Sequence, residues 1–219
     1  MPRKRLTREE NREQTRLRLL EAAALSIARK GLGATSVEDI SAQAGYTRGA
    51  FYSNFRSKSD LFVELIRLDH RNIQENLQKL IDVAPSGEDL QKQLDLLCAQ
   101  CYRDDDSYMI WAEARLHAMR DADFRQRMNT LYLEKRDVIA HLIEQICKRL
   151  NIQLPELSAD RALATIAVMD GLFYFKMTMP NVLPSASAGA AICRVITGMF
   201  IGPRQGGELS LAEKPSKGR

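Results

Sequence analysis

The chain has little of what would mark an enzyme, a membrane protein or a disulfide-bonded scaffold. Its 219 residues include one tryptophan, four cysteines and three histidines. The longest apolar run, Ala162 to Phe175, is interrupted by Asp170 and falls short of the ~20 residues that a bilayer core requires. The opening MPRKRLTREENREQTR is charged rather than apolar and carries no secretory signal, so four scattered cysteines point to a reducing cytoplasm. His70, His117 and His141 have no metal-ligand spacing, and Cys98 with Cys101, three apart on one helical face, supply too few ligands for zinc. No metal or other cofactor is therefore expected. Nucleophile elbow, phosphate loop, dinucleotide fingerprint and metalloprotease helix are all missing, so no residue is assigned a catalytic role. Strand alternation is missing too. The periodicity is helical from end to end, which predicts an all-α fold.

What is present is an ordinary folded composition, 45% hydrophobic and 27% charged, with an uneven net charge of +4. Residues 1–60 hold 12 Lys/Arg against 7 Asp/Glu, whereas the remainder holds 20 against 21. The excess favours a polyanion at the N-terminal part. Pro2 to Arg18 forms a basic arm, of which Arg12 to Arg18 should lie on a helix and can follow phosphates. Leu19, Ala22, Ala23 and Ile27 give that helix an apolar stripe, and Gly31 with Gly33 ends it.

Ser36 to Leu61, SVEDISAQAGYTRGAFYSNFRSKSDL, organises the rest. Ser36 caps a first short helix with Asp39 three residues on, and Val37, Ile40 and Ala44 share its inner face. Gly45 stops it by taking the left-handed conformation, and Thr47 caps the next helix, which starts at Arg48. Phe51 and Phe55 point inward. Thr47, Arg48, Gly49, Ala50, Tyr52, Ser53 and Asn54 then divide between the exposed face and its edges. Small residues at the N-terminal end allow close approach to a major groove, Arg48 can reach base edges, and the hydroxyl and amide groups can bond phosphate. This is a helix-turn-helix. The residues Thr35-Ser36-Val37, Asp39-Ile40, Ala44 to Gly49 and the spaced Tyr52, Phe55, Lys58 and Leu61, preceded by Leu20-Glu21-Ala22-Ala23, resemble the DNA-binding domain of the tetracycline-repressor (TetR) family of bacterial transcription regulators. The likeness covers a quarter to a third of the chain. It implies double-stranded operator DNA as a partner and contacts through Ser36, Thr47, Arg48, Gly49, Ala50, Tyr52, Asn54 and Lys58, the last of these to phosphate.

A third capped start at Ser57, with Asp60 three residues on, opens a long helix in which Leu61, Phe62, Leu65, Ile66, Ile73, Leu77, Leu80 and Ile81 recur to about Asp82. At ~1.5 Å per residue it exceeds 30 Å and acts as a lever into a second helical region. Ala84-Pro85-Ser86-Gly87 is a linker, followed by predicted helices at 88–103, 107–119 (Tyr108, Trp111, Ala112, Leu116 and Met119 apolar), 122–150, 159–179 and 186–201. Three segments result: 1–56, a helix-turn-helix domain with its basic arm; 57–201, a helical ligand-binding and dimerisation domain that includes the connecting helix 57–82; and 202–219, a disordered tail. The last two helices are rich in small and apolar residues, and one short helix-turn-helix reads too few base pairs alone. A homodimer on a palindromic operator is expected, with Ile166, Gly171, Tyr174, Gly189, Cys193, Ile196 and Phe200 in its interface. The resemblance implies a cavity for a small inducer. Cys101, Tyr102, Trp111, Tyr132, Phe173 and Met177 are candidate walls, with Arg115 and His117 as polar groups, which suits an apolar or aromatic ligand. The function expected is that of a ligand-released repressor. The alternative is a helical thiol-sensing or interaction protein, working through Cys98 and Cys101, with weak or architectural DNA binding.

Overall fold

The computed structural model describes residues 7–83, 105–149 and 158–182, and among these it is built of helices without a strand. In chain order they are α1 (Arg8–Ala34), α2 (Val37–Gln43), α3 (Arg48–Asn54), α4 (Lys58–Val83), α5 (Asp105–Arg120), α6 (Ala122–Arg149) and α7 (Ser158–Thr178). The expected linker at 84–87, the helices at 88–103 and 186–201 and the tail 202–219 lie outside the described residues.

Local sequence accounts for the boundaries. Thr7 and Glu10 form a reciprocal capping box at the start of α1, and Ser36 with Asp39 repeats the device for α2. Gly45, at φ +76°, closes α2: the Tyr46 amide reaches back to the Ser41 carbonyl at 2.8 Å and the Gly45 amide to that of Ala42 at 3.1 Å. This is a Schellman ending, and it leaves Thr47 extended to cap α3. The Ser57 hydroxyl accepts from the Asp60 amide at the start of α4, and Asp121 accepts from the Phe124 amide at the start of α6.

Gly31 does less than expected as a terminator. At φ 80°, ψ 162° it breaks α1, but helical structure resumes as far as Ala34. The stripe on α5 also differs from the expectation. Ile110, Trp111, Ala114 and Ala118 are buried, whereas Leu116 and Met119 face outward, Met119 with 74% of its surface exposed. Two alanines at the contact let helices approach closely, which the larger residues on the outer face would prevent.

A single apolar cluster runs from Leu19, Leu20 and Ile27 of α1 through Ile40, Phe51 and Phe55 to Leu61, Phe62, Leu65 and Ile66 of α4. It continues into Trp111, Ala114, Phe124, Met128 and Leu131 of α5 and α6. Phe62 stacks on Phe124 at 5.5 Å between ring centroids. The first half of α4 therefore belongs to the core beneath the helix-turn-helix, and α5 packs directly on α1.

A candidate nucleic-acid interface

The reading face stands on two buried rings. Phe51 of α3 and Phe55, the residue that ends it, lie 5.7 Å apart in the core and fix which side of that short helix faces solvent. Thr47, Arg48, Gly49, Tyr52 and Ser53 are exposed there, and Ala50 is half-buried at the edge. The Arg48 guanidinium lies 2.8 Å from the Glu38 carboxylate of α2 and 5.5 Å from the Tyr52 ring centroid. Both groups of the ion pair are open to water, so it orients Arg48 without immobilising it.

Three expected contacts have other work in the structure. Asn54 turns its amide back to the Ala50 carbonyl at 2.8 Å, with Oδ1 buried, because it occupies the last turn of α3 beside the core. The Ser36 hydroxyl accepts from the Asp39 amide as a cap. Asp39 is held well below the usual carboxylate range, chiefly by its hydrogen bond to Lys30 and then by the Ser36 backbone amide. Lys58 departs furthest from expectation. Its ammonium donates to the carbonyls of Leu32 and Thr35, each at 2.7 Å, and burial lowers its pKa. It ties the end of α1 to the start of α4 instead of standing free toward phosphate.

Arg12 and Arg16, expected along phosphates with the rest of the arm, donate to the carbonyls of Ser53 and Asn54 at 3.5 and 3.4 Å. Arg16 also covers the Phe55 ring at 4.7 Å and pairs with Glu64 of α4 at 3.1 Å. These cations buttress the C-terminal end of α3, where the helix dipole is negative. Their spacing of four on α1 was visible in the sequence; their target was not.

Further down the chain, several expected ligand-wall residues do come together. The buried Trp111 indole donates to Asp69 of α4 at 2.6 Å, and Lys135 of α6 lies 4.4 Å from its ring centroid. The Tyr132 ring is 5.8 Å from Trp111, and its hydroxyl is buried. Burial raises the pKa of Tyr132 and of Tyr108. Tyr108 stacks on Phe173 at 5.2 Å. Arg115 is not a free polar group: it pairs with Asp170 of α7 at 3.0 Å and lies over Tyr108. Met177 is half-buried on α7. His117 points away from this set, against Phe124 at 4.6 Å, since two residues on a helix differ by ~200° from one another. Asp69 and Asp170 were not singled out from sequence, because pairs 42 and 55 residues apart leave no local signal. Cys101 and Tyr102 lie outside the described residues.

On α7 the exposed stripe is Leu163, Ala167 and Tyr174, with the half-buried Gly171 between them. Ile166, expected in the dimer interface, is buried within its own chain and is not available to a partner. Gly189, Cys193, Ile196 and Phe200 lie outside the described residues, as do Cys98 and its neighbour at 101. Cys147 is buried in α6, and burial pushes its thiol up, which disfavours the reactive thiolate there. Among the described residues no cluster suits a metal ion, and no helix is long and apolar enough to cross a membrane.

Two family profiles match the sequence: bacterial regulatory proteins, tetR family, over residues 19–65, and BetI-type transcriptional repressor, C-terminal, over residues 85–200. The HTH-type transcriptional regulator AcrR of Shigella flexneri is 42% identical over 71 residues, 32% of this chain and 33% of that protein. The chain thus spans about a third of the length of the curated relatives it matches. The regulator FadR of Bacillus subtilis, solved with stearoyl-CoA, superposes with a TM-score of 0.69 at 15% identity, covering 85% of this chain and 97% of its own. A Saccharomonospora viridis transcriptional regulator solved with choline gives 0.70 at 19% identity, covering 84% and 96%. At such identities these two likenesses establish fold alone. With one profile on the helix-turn-helix and the other on more than half of its length, the chain belongs to the tetR family of bacterial regulatory proteins.

Proposed function

We propose that the protein is a DNA-binding transcriptional regulator, a repressor that engages a palindromic operator as a homodimer and is released by a small, largely apolar or aromatic molecule. The observation that carries the DNA-binding part is the exposed row Thr47, Arg48, Gly49, Tyr52 and Ser53 above the buried Phe51 and Phe55. A small-residue N-terminal end with one arginine on a rigidly based helix suits base-edge contact in a major groove. Duplexes selected from a random pool by the wild-type protein test this directly. They should converge on a sequence with twofold symmetry, and a pool that never converges would sink the reading.

Dimerisation is supported by the apolar stripe of α7, the exposed Leu163, Ala167 and Tyr174 with the half-buried Gly171 between them, whose small residues permit close helix packing. Ligand control is supported by the aromatic set around Trp111 and by the bond from its indole to Asp69 on α4. A molecule inserted against Trp111 would load the long helix directly. It changes operator affinity only to the extent that it prefers the released arrangement of the dimer. Loss of the selected duplex on addition of hydrophobic compounds, read together with Trp111 emission, tests this half. A compound that quenches Trp111 and leaves DNA affinity unchanged counts against it.

A further inference from the structure

We infer that Glu113 of α5 is a positioning residue for DNA reading, and that it sets the pose of the helix-turn-helix by holding the Leu32 amide at the break in α1. The inference rests on the DNA-binding function proposed above and gives it a second connection beside α4.

The geometry begins with Gly31, whose φ of +80° interrupts α1. At this break the Leu32 amide donates to Glu113 Oε2 at 2.9 Å, across 81 residues of sequence. A side chain at position 31 is disfavoured twice over. The left-handed backbone disfavours it, and its Cβ would stand 3.1 Å from Glu113 Oε1. The same Leu32 offers its carbonyl to Lys58 of α4, which also takes the Thr35 carbonyl, while the Thr35 hydroxyl bonds the Gly31 carbonyl at 2.8 Å. Thr35 directly precedes Ser36, the cap of α2. The five residues between the break and the first helix of the reading motif are therefore clamped by a carboxylate from α5 and an ammonium from α4.

Glu113 is half-buried and, among the described residues, forms no ion pair, so its hydrogen bond is directed at backbone alone. Trp111 and Arg115 flank it by two residues on each side and face the opposite side of α5, toward Asp69 and Asp170. A helix this short moves as a rigid rod. A displacement of ~1–2 Å, common for helices in switching proteins, exceeds the tolerance of a 2.9 Å bond. Whatever shifts Trp111 must accordingly load or release the Leu32 amide, and by reciprocity DNA that seats the reading helices must be felt at Trp111.

That reciprocity supplies a test needing no inducer. The full-length protein is titrated with the duplex it selected from a random pool while the emission of Trp111, its single tryptophan, is followed. In the wild type, binding should change the emission. Glu113→Ala should lower affinity for that duplex about tenfold and abolish the emission change, with weak binding to unrelated duplex retained. Glu113→Gln, which keeps an oxygen acceptor at the same reach, should restore the emission change. Thermal melts of the three proteins keep the inference apart from a weakened fold: Glu113→Ala should lose the emission change while still fully folded at the temperature of the titration, and an emission change that returns on cooling Glu113→Ala overturns it. A wild type that binds its duplex with no change at Trp111 overturns the inference whatever the variants do, as does Glu113→Ala with wild-type emission response. A wild type that selects no duplex removes the DNA-binding reading itself, and with it this inference.

Discussion

The Lys58 ammonium stands 2.7 Å from the carbonyl oxygen of Thr35, the residue immediately before the cap of α2, so a lysine expected at phosphate is also a half-buried strut between α4 and the end of α1. Replacing it by methionine keeps the stem but takes the ammonium from the Thr35 carbonyl and from the Leu32 carbonyl, which retains only the Thr35 amide at 3.3 Å. Lys58→Met should destabilise the protein by about 1–3 kcal/mol, the usual cost of removing a charged donor from partly buried acceptors. Thermal melting checks the size. The slope of DNA affinity against salt should stay close to that of the wild type, since a phosphate-contacting lysine would reduce it by about one.

Arg48 carries the opposite expectation. It is exposed, it is oriented by Glu38, and its loss leaves no buried group unpaired. Arg48→Ala should leave the melting temperature unchanged within error and cost roughly 1–3 kcal/mol of affinity for the selected duplex, with relaxed base preference. Isotherms on matched and scrambled duplexes measure both, and full affinity with full discrimination would remove Arg48 from the reading face.

The α7 stripe yields a paired prediction. Tyr174→Glu, on the exposed face, should dissociate the dimer in sedimentation while the monomer stays folded. Ile166→Ala, inside the chain, should instead cost about 2–5 kcal/mol of stability through the cavity it opens. Gly189 and Ile196, expected from the sequence in the same interface, should behave like Tyr174 when given a charge.

His70 introduces a pH dependence. It is buried on α4, and burial foremost, aided by the Lys135 ammonium and opposed by Glu134 and Asp69, holds its pKa below the ordinary 6.5. Above that value the imidazole is neutral in both folded and unfolded chains, so its contribution is fully present. As pH falls below it the unfolded chain takes the proton first, and stability declines until the folded imidazole titrates too, with a slope of at most about 1.4 kcal/mol per pH unit. Denaturant melts from pH 7.5 to 5.0 should show this decline, and His70→Leu should reduce it.

How much of this was legible in advance follows the range of each interaction. The caps Ser36, Thr47 and Ser57 and the glycine stop at Gly45 act over three or four residues, and all four stand where the sequence places them. Periodicity located α5 within two residues but chose Leu116 and Met119 over Ala114 and Ala118, because apolar spacing alone cannot say which of two stripes faces the neighbour. The candidate site was legible as types of side chain and not as partners. Trp111 and Arg115 were found, whereas Asp69 and Asp170, which determine where those side chains point, come from other helices. Lys58 shows the same limit from the other side: a helix start and a positive charge suggest phosphate until two carbonyls from α1 are seen to occupy it.

The apolar cluster that joins Leu19 of α1 to Leu131 of α6 should make the reading motif and the base of the C-terminal helices one melting unit. Calorimetry should give a single transition for the two together, with no separate early peak from the N-terminal helices. A fragment ending at Arg56 would leave Ile40, Phe51 and Phe55 without Leu61, Phe62, Leu65 and Ile66 to cover them. It should be unfolded in isolation, although it contains every residue of the helix-turn-helix.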